Sequence, residues 1–509
     1  MLLVGLAAPL IRLSILFWRP IPQPAVHDEF SHLLAADTFA SGRLTNPTHP
    51  MWIHFETFHV DQQPTYMSMY PPGQGVVMAF GRAVFGHPWF GVCACVGLMC
   101  AAVCWMLYGW LAPGWALLGG VLIVLRVGVS SYWMNSFWGG ALPATGGALV
   151  LGAMPRLMGR PRVSMALLLG VGLAILANTR PYEGSLLGIT VGAALLLWII
   201  QKRVHLRFLA GRVLLPLSLL LLMTAGAMGY YNWRVFGGPL KLPYQVNRAT
   251  YAVSPVFIWQ SPGPEPHYRH PVMREFYINW ELPEFEKSLS VAGFLGSAAK
   301  KGGLALAFFL GPLLIVPLVM LPRTLRDRRW RFVAWTAGVF AIGLSLNAFS
   351  VPHYLAPATA LIYAVLLESM RHLCSWRFRN QAVGLFLVRA LPLLCGVMLA
   401  SQIALYAVTP AQDLPRTRVQ RILEKQPGGQ LAIVRYAPGH DPLAEWVYNA
   451  ADIDRAKVVW AREMGPALDQ QLIDHFKGRK VWLVEPDCTP PRISAYPAKS
   501  PGFAERNGL

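Results

Sequence analysis

The sequence predicts a polytopic α-helical membrane protein of about 11 transmembrane helices, followed by a small C-terminal α/β domain. Composition is the first observation behind this prediction, because 54% of the 509 residues are hydrophobic and only 14% are charged. A soluble chain of this length could not cover so much apolar surface, whereas a chain with many membrane spans needs it. The other two observations are the length of the apolar stretches and the placement of the basic residues.

Apolar stretches of the length that a membrane requires recur along the chain. A helix crosses the hydrocarbon core with about 17–25 mainly apolar residues. The first stretch is short and contains Arg12. It lacks the basic start and the small-residue cleavage site of a signal peptide, so we expect a tilted span and no cleavage. The expected spans are residues 2–18, 89–111, 115–132, 139–154, 163–178, 185–200, 213–230, 304–321, 332–349, 354–370 and 383–408.

Basic residues concentrate in four short linkers between spans, at residues 156–162, 202–212, 323–331 and 371–379. The net charge of +19 therefore indicates the positive-inside bias that orients membrane helices. It does not indicate nucleic-acid binding, which would need a basic soluble domain with interleaved aromatic residues. With the N-terminus in the cytoplasm, every loop with chemical character falls on the extracytoplasmic face. These loops are residues 26–87, 132–138, 179–184, 231–301 and 350–353.

The first external loop is the most polar stretch of the membrane region. The adjacent carboxylates Asp28 and Glu29 open it, in a chain with only 25 acidic residues. An ionisable group kept at a membrane surface is a functional candidate, because its desolvation costs free energy. Asp28 also suits the N-cap of a helix over residues 29–41 that Gly42 would end. A second helix is expected over residues 71–85, and both helices should lie on the membrane surface.

The composition changes after residue 410. We therefore divide the chain into a membrane domain, residues 1–410, and an extracytoplasmic α/β domain, residues 411–509. The membrane domain includes the first external loop, 19–87, and a long external loop, 231–301. The C-terminal domain has no Gly-rich phosphate loop after a strand, so we interpret it as a cap or an acceptor-positioning domain. Its strands are expected at residues 430–435, 457–460 and 480–485, and its helices at 442–450 and 466–476.

The acidic pair of the first external loop allows two interpretations. A helix cap needs one short acceptor, and a negative charge suits a helix N-terminus. The functional alternative is a general base or a divalent-metal ligand. The flanking His27 and His32, and the position directly after the first span, favour that alternative for Asp28 and Glu29.

Four further residues of the same loop carry metal-ligating side chains. They are candidates for a metal site or for contacts to an acceptor, although their spacing matches no strong zinc pattern. A polar network within the loop is the simpler alternative. The four residues are His54, Glu56, His59 and Asp61.

Candidate phosphate-binding residues follow in two later external turns. Arg180 and Tyr182 lie at the end of the fifth expected span, and Arg matches phosphate geometry because its planar guanidinium donates two parallel hydrogen bonds. A salt bridge to Glu183 is the alternative for Arg180. His353 and Tyr354 begin the tenth expected span, where an interfacial aromatic belt is the alternative.

The order of these features resembles the GT-C membrane glycosyltransferases, and more narrowly the protein O-mannosyltransferase and aminoarabinose transferase superfamily. The resemblance lies in Asp28-Glu29 early in the first external loop, the two surface helices of that loop, the many-span body and the C-terminal domain. It implies a polyprenyl-phosphate-linked sugar as donor, and a role for Asp28 in activating the acceptor or binding a metal. Many relatives carry a second acidic residue in the next external loop. Residues 131–138 contain none, so a divalent metal stays an open alternative.

These observations support an integral-membrane glycosyltransferase that moves a sugar from a polyprenyl-phosphate donor to an acceptor hydroxyl. Asp28, with Glu29, would be catalytic, and Arg180 would stabilise the departing phosphate. The resemblance implies a bacterial inner membrane. Two alternatives from other classes are a transporter or flippase for lipid-linked sugars and a non-catalytic component of polysaccharide assembly. Sugar transfer by the purified protein, or counterflow in liposomes, would separate them.

Overall fold

The computed structural model of the protein describes residues 1–203, 205–349, 351–409 and 411–496. Parts of four predicted segments lie outside the described residues: residue 204 of the second basic linker, residue 350 of the loop at 350–353, residue 410 at the end of the predicted membrane domain, and residues 497–509 of the predicted C-terminal domain. The fold is mostly helical with a small sheet region near the C-terminus. This confirms the predicted fold class.

Helices form at each predicted span. The α-helices are Leu2–Ser14, His27–Ala40, Gly73–Phe85, Trp89–Leu107, Pro113–Ile123, Ala141–Gly159, Val163–Ala177, Pro181–Lys202, Leu206–Leu209, Leu215–Phe236, Pro243–Tyr251, Pro271–Arg274, Leu282–Leu289, Val291–Phe309, Gly311–Leu314, Leu321–Arg326, Arg331–Leu346, Thr359–Leu373, Val383–Val408, Pro415–Glu424 and Pro466–His475. Short 3-10 helices are Trp52–Phe55, Val316–Met320, Arg328–Trp330, Pro352–Ala358 and Pro442–Ala444. Wider π-helical turns are Val124–Gly128, Ala210–Leu214 and Glu275–Glu281.

Not every one of these helices is long enough to cross a membrane by itself. Among the described residues, four helices are both long and apolar enough, and one bent pair could make a fifth span. Three shorter apolar helices are Leu2–Ser14, Pro113–Gly128 and Val163–Ala177. The protein is therefore multi-pass, but the predicted number of 11 spans is not confirmed. The four long helices are Trp89–Leu107, Pro181–Lys202, Arg207–Phe236 and Val383–Val408.

The predicted span at residues 304–321 is interrupted. Gly311 has a φ of +62°, a left-handed value that glycine adopts without steric cost, and Pro312 supplies no backbone N–H. The helix Val291–Phe309 ends before this pair, and the chain turns by 102° into Gly311–Arg326. The sequence predicted one continuous span here because hydropathy depends on side-chain polarity and carries no information on backbone conformation.

The helix Trp89–Leu107 lies at the centre of the membrane body, with 72% of its apolar window buried. The helices Leu2–Ser14, Gly73–Phe85 and Ala141–Gly159 pack against it. A Cβ atom at Gly97 would lie 2.7 Å from a carbonyl oxygen of the first helix, so glycine allows the two backbones to approach closely. This packing fixes the point at which the first loop leaves the membrane body.

The two helices of the first loop form close to their predicted positions. His27–Ala40 ends before Gly42, whose φ is +72°, and Gly73–Phe85 follows the Pro71-Pro72 pair. The predicted N-cap role of Asp28 is wrong, because the helix begins one residue earlier and Val26 occupies the N-cap.

The C-terminal region forms a four-stranded sheet. Its strands are β3 Gln430–Val434, β4 Val458–Arg462, β5 Lys480–Glu485 and β6 Arg492–Ala495, and a separate two-stranded ladder in the first loop pairs β1 Val60–Asp61 with β2 Met67–Ser68. The strand order is β4-β3-β5-β6. Strand β3 is parallel to both of its neighbours, as predicted, and β6 adds an antiparallel edge that the sequence pattern did not indicate.

The predicted helix at residues 442–450 is wrong. Only the 3-10 turn Pro442–Ala444 forms, and the chain then runs extended. The Glu445 carboxylate accepts hydrogen bonds from the next two backbone N–H groups at 2.9 and 2.6 Å, and the Asn449 side chain pairs with the N–H and C=O of Trp460 at 2.9 and 2.8 Å. Side chains thus satisfy the backbone groups that a helix would have paired.

The sheet region packs directly on the first loop through a shared apolar cluster. The cluster joins Leu34, Phe55 and Tyr66 of the loop to Leu431, Ile433 and Val459 of the sheet. A polar contact adds to it, because Nε of Arg462 donates to the backbone oxygen of Glu56 at 2.8 Å. The loop is therefore held between the membrane body and the sheet.

Candidate active site

The carboxylate of Asp28 lies in the first turn of the helix His27–Ala40 and is 22% exposed. The hydroxyl of Tyr70 donates to its Oδ1. The His59 Nδ1 atom lies 3.1 Å from the same hydroxyl, and it must be the donor there because the single Tyr70 proton is used on Asp28. Among the residues that the structure describes, none donates a hydrogen bond to Asp28 Oδ2. One oxygen of the carboxylate is therefore oriented by Tyr70 while the other is open to a ligand.

Three histidines surround this carboxylate without adding positive charge. Burial lowers the pKa of His27 to about 4 and the pKa of both His32 and His59 to about 3. All three rings are therefore neutral at physiological pH. The histidines therefore add no positive charge next to the Asp28 carboxylate.

Glu29 is placed differently from its neighbour. It is buried, and its carboxylate accepts hydrogen bonds from the backbone N–H groups of Ala25 at 2.7 Å, Val26 at 3.2 Å and Phe137 at 2.9 Å. Burial raises the pKa of Glu29. With its lone pairs engaged, this carboxylate joins the start of the helix to the segment 132–138, and the geometry favours a positioning role over direct catalysis.

Arg180 lies at the turn before the helix Pro181–Lys202. Its guanidinium lies over the ring of Tyr354, 4.5 Å from the ring centroid. Within the described part of the chain, no carboxylate oxygen lies within 4.0 Å of the Arg180 guanidinium, although the buried Glu183 is near enough to interact with it electrostatically. An unpaired guanidinium suits an anionic ligand.

Arg180 and Tyr70 line the same narrow cleft. Since the Tyr70 hydroxyl donates to Asp28, Tyr70 links the lining of the cleft to the catalytic candidate. His32 stacks on Tyr70 with 4.5 Å between ring centroids, and its buried Nδ1 has no hydrogen-bond partner in the described chain. The cleft is lined by His32, Tyr70, Pro71, Gln74, Gly139, Pro143, Thr179, Arg180 and Tyr244.

The other predicted phosphate-binding residues have different surroundings. The Tyr182 hydroxyl donates to the backbone oxygen of Gly343 at 2.8 Å, and the buried His353 ring bonds the Tyr132 hydroxyl through Nδ1 at 3.0 Å. Tyr354 contributes its ring face to Arg180. Of the four predicted residues, Arg180 lines the cleft. Tyr354 packs against the Arg180 guanidinium, and the hydrogen bonds of Tyr182 and His353 go to other parts of the protein.

The candidate metal or acceptor residues of the first loop do not converge on one point. His54 bonds the backbone oxygen of Arg462, and His59 faces Tyr70. Glu56 lies 3.1 Å from Arg269 and 3.6 Å from His270. Each has its own protein partners, which agrees with the polar-network alternative for these residues.

Asp61 differs from its neighbours. Its Oδ1 accepts a hydrogen bond from the Asn247 side chain at 2.9 Å, whereas Oδ2 has no partner among the described residues. Burial raises the pKa of Asp61 to about 7. This residue lies in a second cavity, apart from the cleft of Arg180.

Another cluster, made of two histidines and one aspartate, has side chains that could bind a metal ion and lie close enough together to do so. Ligating atoms of His49, Asp454 and His475 lie within 4.8 Å of one another, between the first loop and the sheet region. However, Nδ1 of His49 accepts a hydrogen bond from the Met51 backbone N–H at 3.0 Å, so the proton of the neutral ring is on Nε2, which lies 3.2 Å from Asp454. Metal ligation through Nε2 requires the opposite tautomer. The arrangement fits a hydrogen-bonded link better than a metal centre.

This architecture is similar to the folds of solved oligosaccharyltransferase and ArnT structures. In particular, the chain is similar to the oligosaccharyltransferase of Archaeoglobus fulgidus solved with zinc and sulfate, with a TM-score of 0.50, 11% identity, and coverage of 95% of this chain and 67% of that one. It also matches ArnT from Cupriavidus metallidurans in the apo state, with a TM-score of 0.49, 14% identity and coverage of 94% and 92%. For ArnT bound to undecaprenyl phosphate the TM-score is 0.47, with 13% identity and coverage of 95% and 92%.

No protein-family model matches the sequence, and no curated protein matches it. At a TM-score of 0.50 and an identity of 11%, the likeness to the oligosaccharyltransferase establishes the fold alone. The resemblance predicted from the sequence is thereby confirmed at that level.

Sequence reasoning missed two aromatic residues of the cleft as participants, Tyr70 and Tyr244. The Tyr-Pro-Pro-Gly motif at Tyr70 was the available signal, because a tyrosine before two prolines has a restricted backbone at a helix start. Tyr244 carried no such signal. It reaches the cleft from the long loop, with its ring 5.4 Å from that of Tyr70.

Proposed function

We propose that the protein is an integral-membrane glycosyltransferase that moves a sugar from a polyprenyl-phosphate donor to an acceptor hydroxyl at the extracytoplasmic face. One observation carries the proposal: Tyr70 lines the same cleft as Arg180, and its hydroxyl donates to the carboxylate of Asp28. The substrates of this reaction need those two groups, a base for a hydroxyl and a cation for a phosphate. The fold and the sequence resemblance support the same class.

In the proposed reaction the acceptor oxygen attacks the anomeric carbon of the donor sugar. Its proton passes to Oδ2 of Asp28 as the new carbon–oxygen bond forms. The bond between the anomeric carbon and the phosphate oxygen breaks, and its electron pair leaves with the phosphate. Arg180 stabilises the charge on that leaving group. The products are the glycosylated acceptor, polyprenyl phosphate and a protonated Asp28, which then returns its proton to solvent.

Three neighbours support this step without bonding to the reacting atoms. Tyr70 orients one oxygen of Asp28 and leaves the other free. Glu29 fixes the start of the helix that carries Asp28, through its three backbone hydrogen bonds. His32 lines the cleft as a neutral ring that stacks on Tyr70, and it helps to hold Tyr70 in place.

Substitution of Asp28 by asparagine tests the proposal. Asn keeps the size of the side chain and accepts a hydrogen bond from Tyr70, but it does not take up a proton at neutral pH. We expect the purified Asp28→Asn protein to lose transfer by at least about 10²-fold, the lower end of the usual general-base contribution, with an unchanged melting temperature. Asp37→Asn is the matched control: the same change, on the same helix, at a carboxylate that pairs with Arg82.

The assay is release of polyprenyl phosphate from a polyprenyl-phosphate sugar, with a panel of acceptors. Near-normal turnover in Asp28→Asn would exclude the mechanism. The transporter alternative makes the opposite prediction, since counterflow of a labelled lipid-linked sugar in liposomes would proceed without any release of the sugar.

A further inference from the structure

The first helix carries a buried arginine that the proposed mechanism does not use. Arg12 lies two residues before the end of Leu2–Ser14 and is 1% exposed. Arginines near the ends of membrane helices commonly extend their charge to the lipid head groups. Arg12 instead lies inside the protein, with its guanidinium 4.8 Å from the centroid of the Trp89 ring. Because the burial of a charge costs free energy, the contacts of this residue indicate its role.

All three nitrogens of the Arg12 guanidinium group donate hydrogen bonds, and their acceptors lie in two separate segments. Nη1 donates to the backbone oxygen of Arg19 and Nη2 donates to that of Pro20, both at 2.8 Å. Nε donates to Oδ1 of the Asn135 side chain, also at 2.8 Å. Arg12 therefore joins the beginning of the first external loop to the next external segment. We call these two segments the loop entrance, residues 19–26, and the external turn, residues 129–137.

The loop entrance and the external turn are joined a second time by Glu29. Its carboxylate accepts from two backbone N–H groups of the loop entrance, at 2.7 and 3.2 Å, and from the N–H of Phe137 in the external turn, at 2.9 Å. Asn135 lies two residues before Phe137, and its Nδ2 donates to two backbone oxygens of the same turn at 3.0 and 2.9 Å. Arg12 and Glu29 thus connect the same two segments at two points, and the second point is directly beside Asp28.

We propose that Arg12 is a positioning residue for the transfer reaction, which holds the loop entrance against the external turn and so fixes the start of the helix that carries Asp28. The inference rests on the proposed function and adds a residue to its site. Hydrogen bonds and the chain itself form a ring that runs from Arg12 through the external turn to Glu29 and returns along the loop entrance. Without Arg12, the loop entrance loses its hydrogen bonds to the first helix, and Asp28 becomes freer to move relative to Tyr70. A misplacement of about 1 Å can cost about 10²-fold in rate.

Arg12→Met tests this role, because methionine fills much of the same space but donates no hydrogen bond. Arg156→Met is the matched control. Arg156 also lies over a tryptophan ring, that of Trp105 at 4.1 Å, and it donates to the backbone oxygens of Gly152 and Trp105 at 2.7 and 2.8 Å. It lies in the last turn of the helix Ala141–Gly159, whereas Pro143, in the first turn of that helix, lines the cleft.

We expect kcat to fall by about 10- to 100-fold in Arg12→Met, while KM for the polyprenyl-phosphate donor stays within threefold, because the carboxylate moves and the cleft of Arg180 is kept. Arg12→Lys should lie between Arg12→Met and wild type, since lysine keeps the charge but lacks the planar set of donors. Arg156→Met should keep kcat within threefold of wild type. Thermal melting shows that each variant is folded.

A smaller active fraction would also lower kcat, so a double-mutant cycle separates that cause from positioning. Arg12 and Glu29 connect the same two segments, and the loss of either one opens the ring. The addition of Arg12→Met to Glu29→Gln should therefore lower kcat by less than a further threefold. Independent effects multiply instead, and the pair of Arg12→Met with Arg156→Met should give that product.

Hydrogen exchange followed by mass spectrometry tests the link in the full-length protein without turnover. Arg12→Met should raise the exchange rate of the external turn at least tenfold and leave the strand Gln430–Val434 within twofold, and Arg156→Met should change neither. The inference is overturned if the external turn exchanges as in wild type, if Arg12→Met keeps kcat within threefold, if Arg156→Met loses as much activity, or if the losses of Arg12→Met and Glu29→Gln multiply. Faster exchange of the external turn in Arg12→Met, in a protein whose wild type transfers no sugar, would retain the link and refute the proposed function.

Discussion

Replacement of Arg180 by alanine gives the sharpest measure of the proposed site. The guanidinium lies over Tyr354 and has no carboxylate partner in the described chain, so its charge is available to a phosphate. Removal of one preorganised donor to a developing negative charge costs about 10²–10³ in kcat, or about 2.7–4 kcal/mol. We expect Arg180→Ala to lose activity in that range. Loss of the stacking on Tyr354 should lower the free energy of unfolding by only about 0.5–2 kcal/mol.

A lysine at the same position separates charge from geometry. Arg180→Lys keeps a cation but loses the paired N–H donors that match phosphate oxygens, so an intermediate loss is expected. The assay is single-turnover release of polyprenyl phosphate at saturating donor, with thermal melting to show that each variant is folded. Arg82→Ala is the control, because Arg82 forms a half-exposed pair with Asp37 outside the cleft. Activity of Arg180→Ala within threefold of wild type, or an equal loss in Arg82→Ala, would refute the role of Arg180 at the phosphate.

Three further predictions concern the surroundings of the site. Tyr70→Phe removes a hydrogen bond to the Asp28 carboxylate, which is worth about 1.5–3 kcal/mol, so kcat should fall by about 10–150-fold in a folded protein. Zn²⁺ or a chelator should leave the melting temperature unchanged, because His49 Nε2 carries a proton toward Asp454. Burial raises the pKa of Asp61 to about 7 from 3.8, so the folded state binds that proton more tightly than the unfolded state. Stability from this group is complete below about pH 4 and is lost as the pH rises through about 7, by up to about 4 kcal/mol, and Asp61→Asn should remove this dependence in urea titrations.

Each of these has a clear contrary outcome. Unchanged turnover in Tyr70→Phe would show that the hydroxyl does not position Asp28. A zinc-dependent rise in melting temperature that disappears in Asp454→Ala would assign a metal site to the His49 group. Equal pH dependence in the wild type and in Asp61→Asn would place the titration on another group.

The sequence determined most of the elements of this protein, because their signals are local. Apolar length placed a helix at every predicted span, and alternating apolar runs placed the three parallel strands of the sheet. The acidic pair at residues 28–29 and the arginine at 180 are exceptions to the apolar pattern, which is why they could be selected as candidates without a structure. The bend at Gly311 was harder to predict than the spans, because it depends on backbone conformation, which hydropathy does not report.

Only the tertiary structure decided which of two adjacent carboxylates is free to react. Glu29 and Asp28 have the same local signal, yet Phe137, from a distant segment, donates its N–H to Glu29, whereas Tyr70 donates to one oxygen of Asp28 and leaves the other open. The absence of a salt bridge at Arg180 within the described chain likewise depends on where the long loops lie. Hydrogen-bond and ion-pair partners are set by residues many positions away, so a linear pattern can name the groups but the folded chain determines which of them are satisfied.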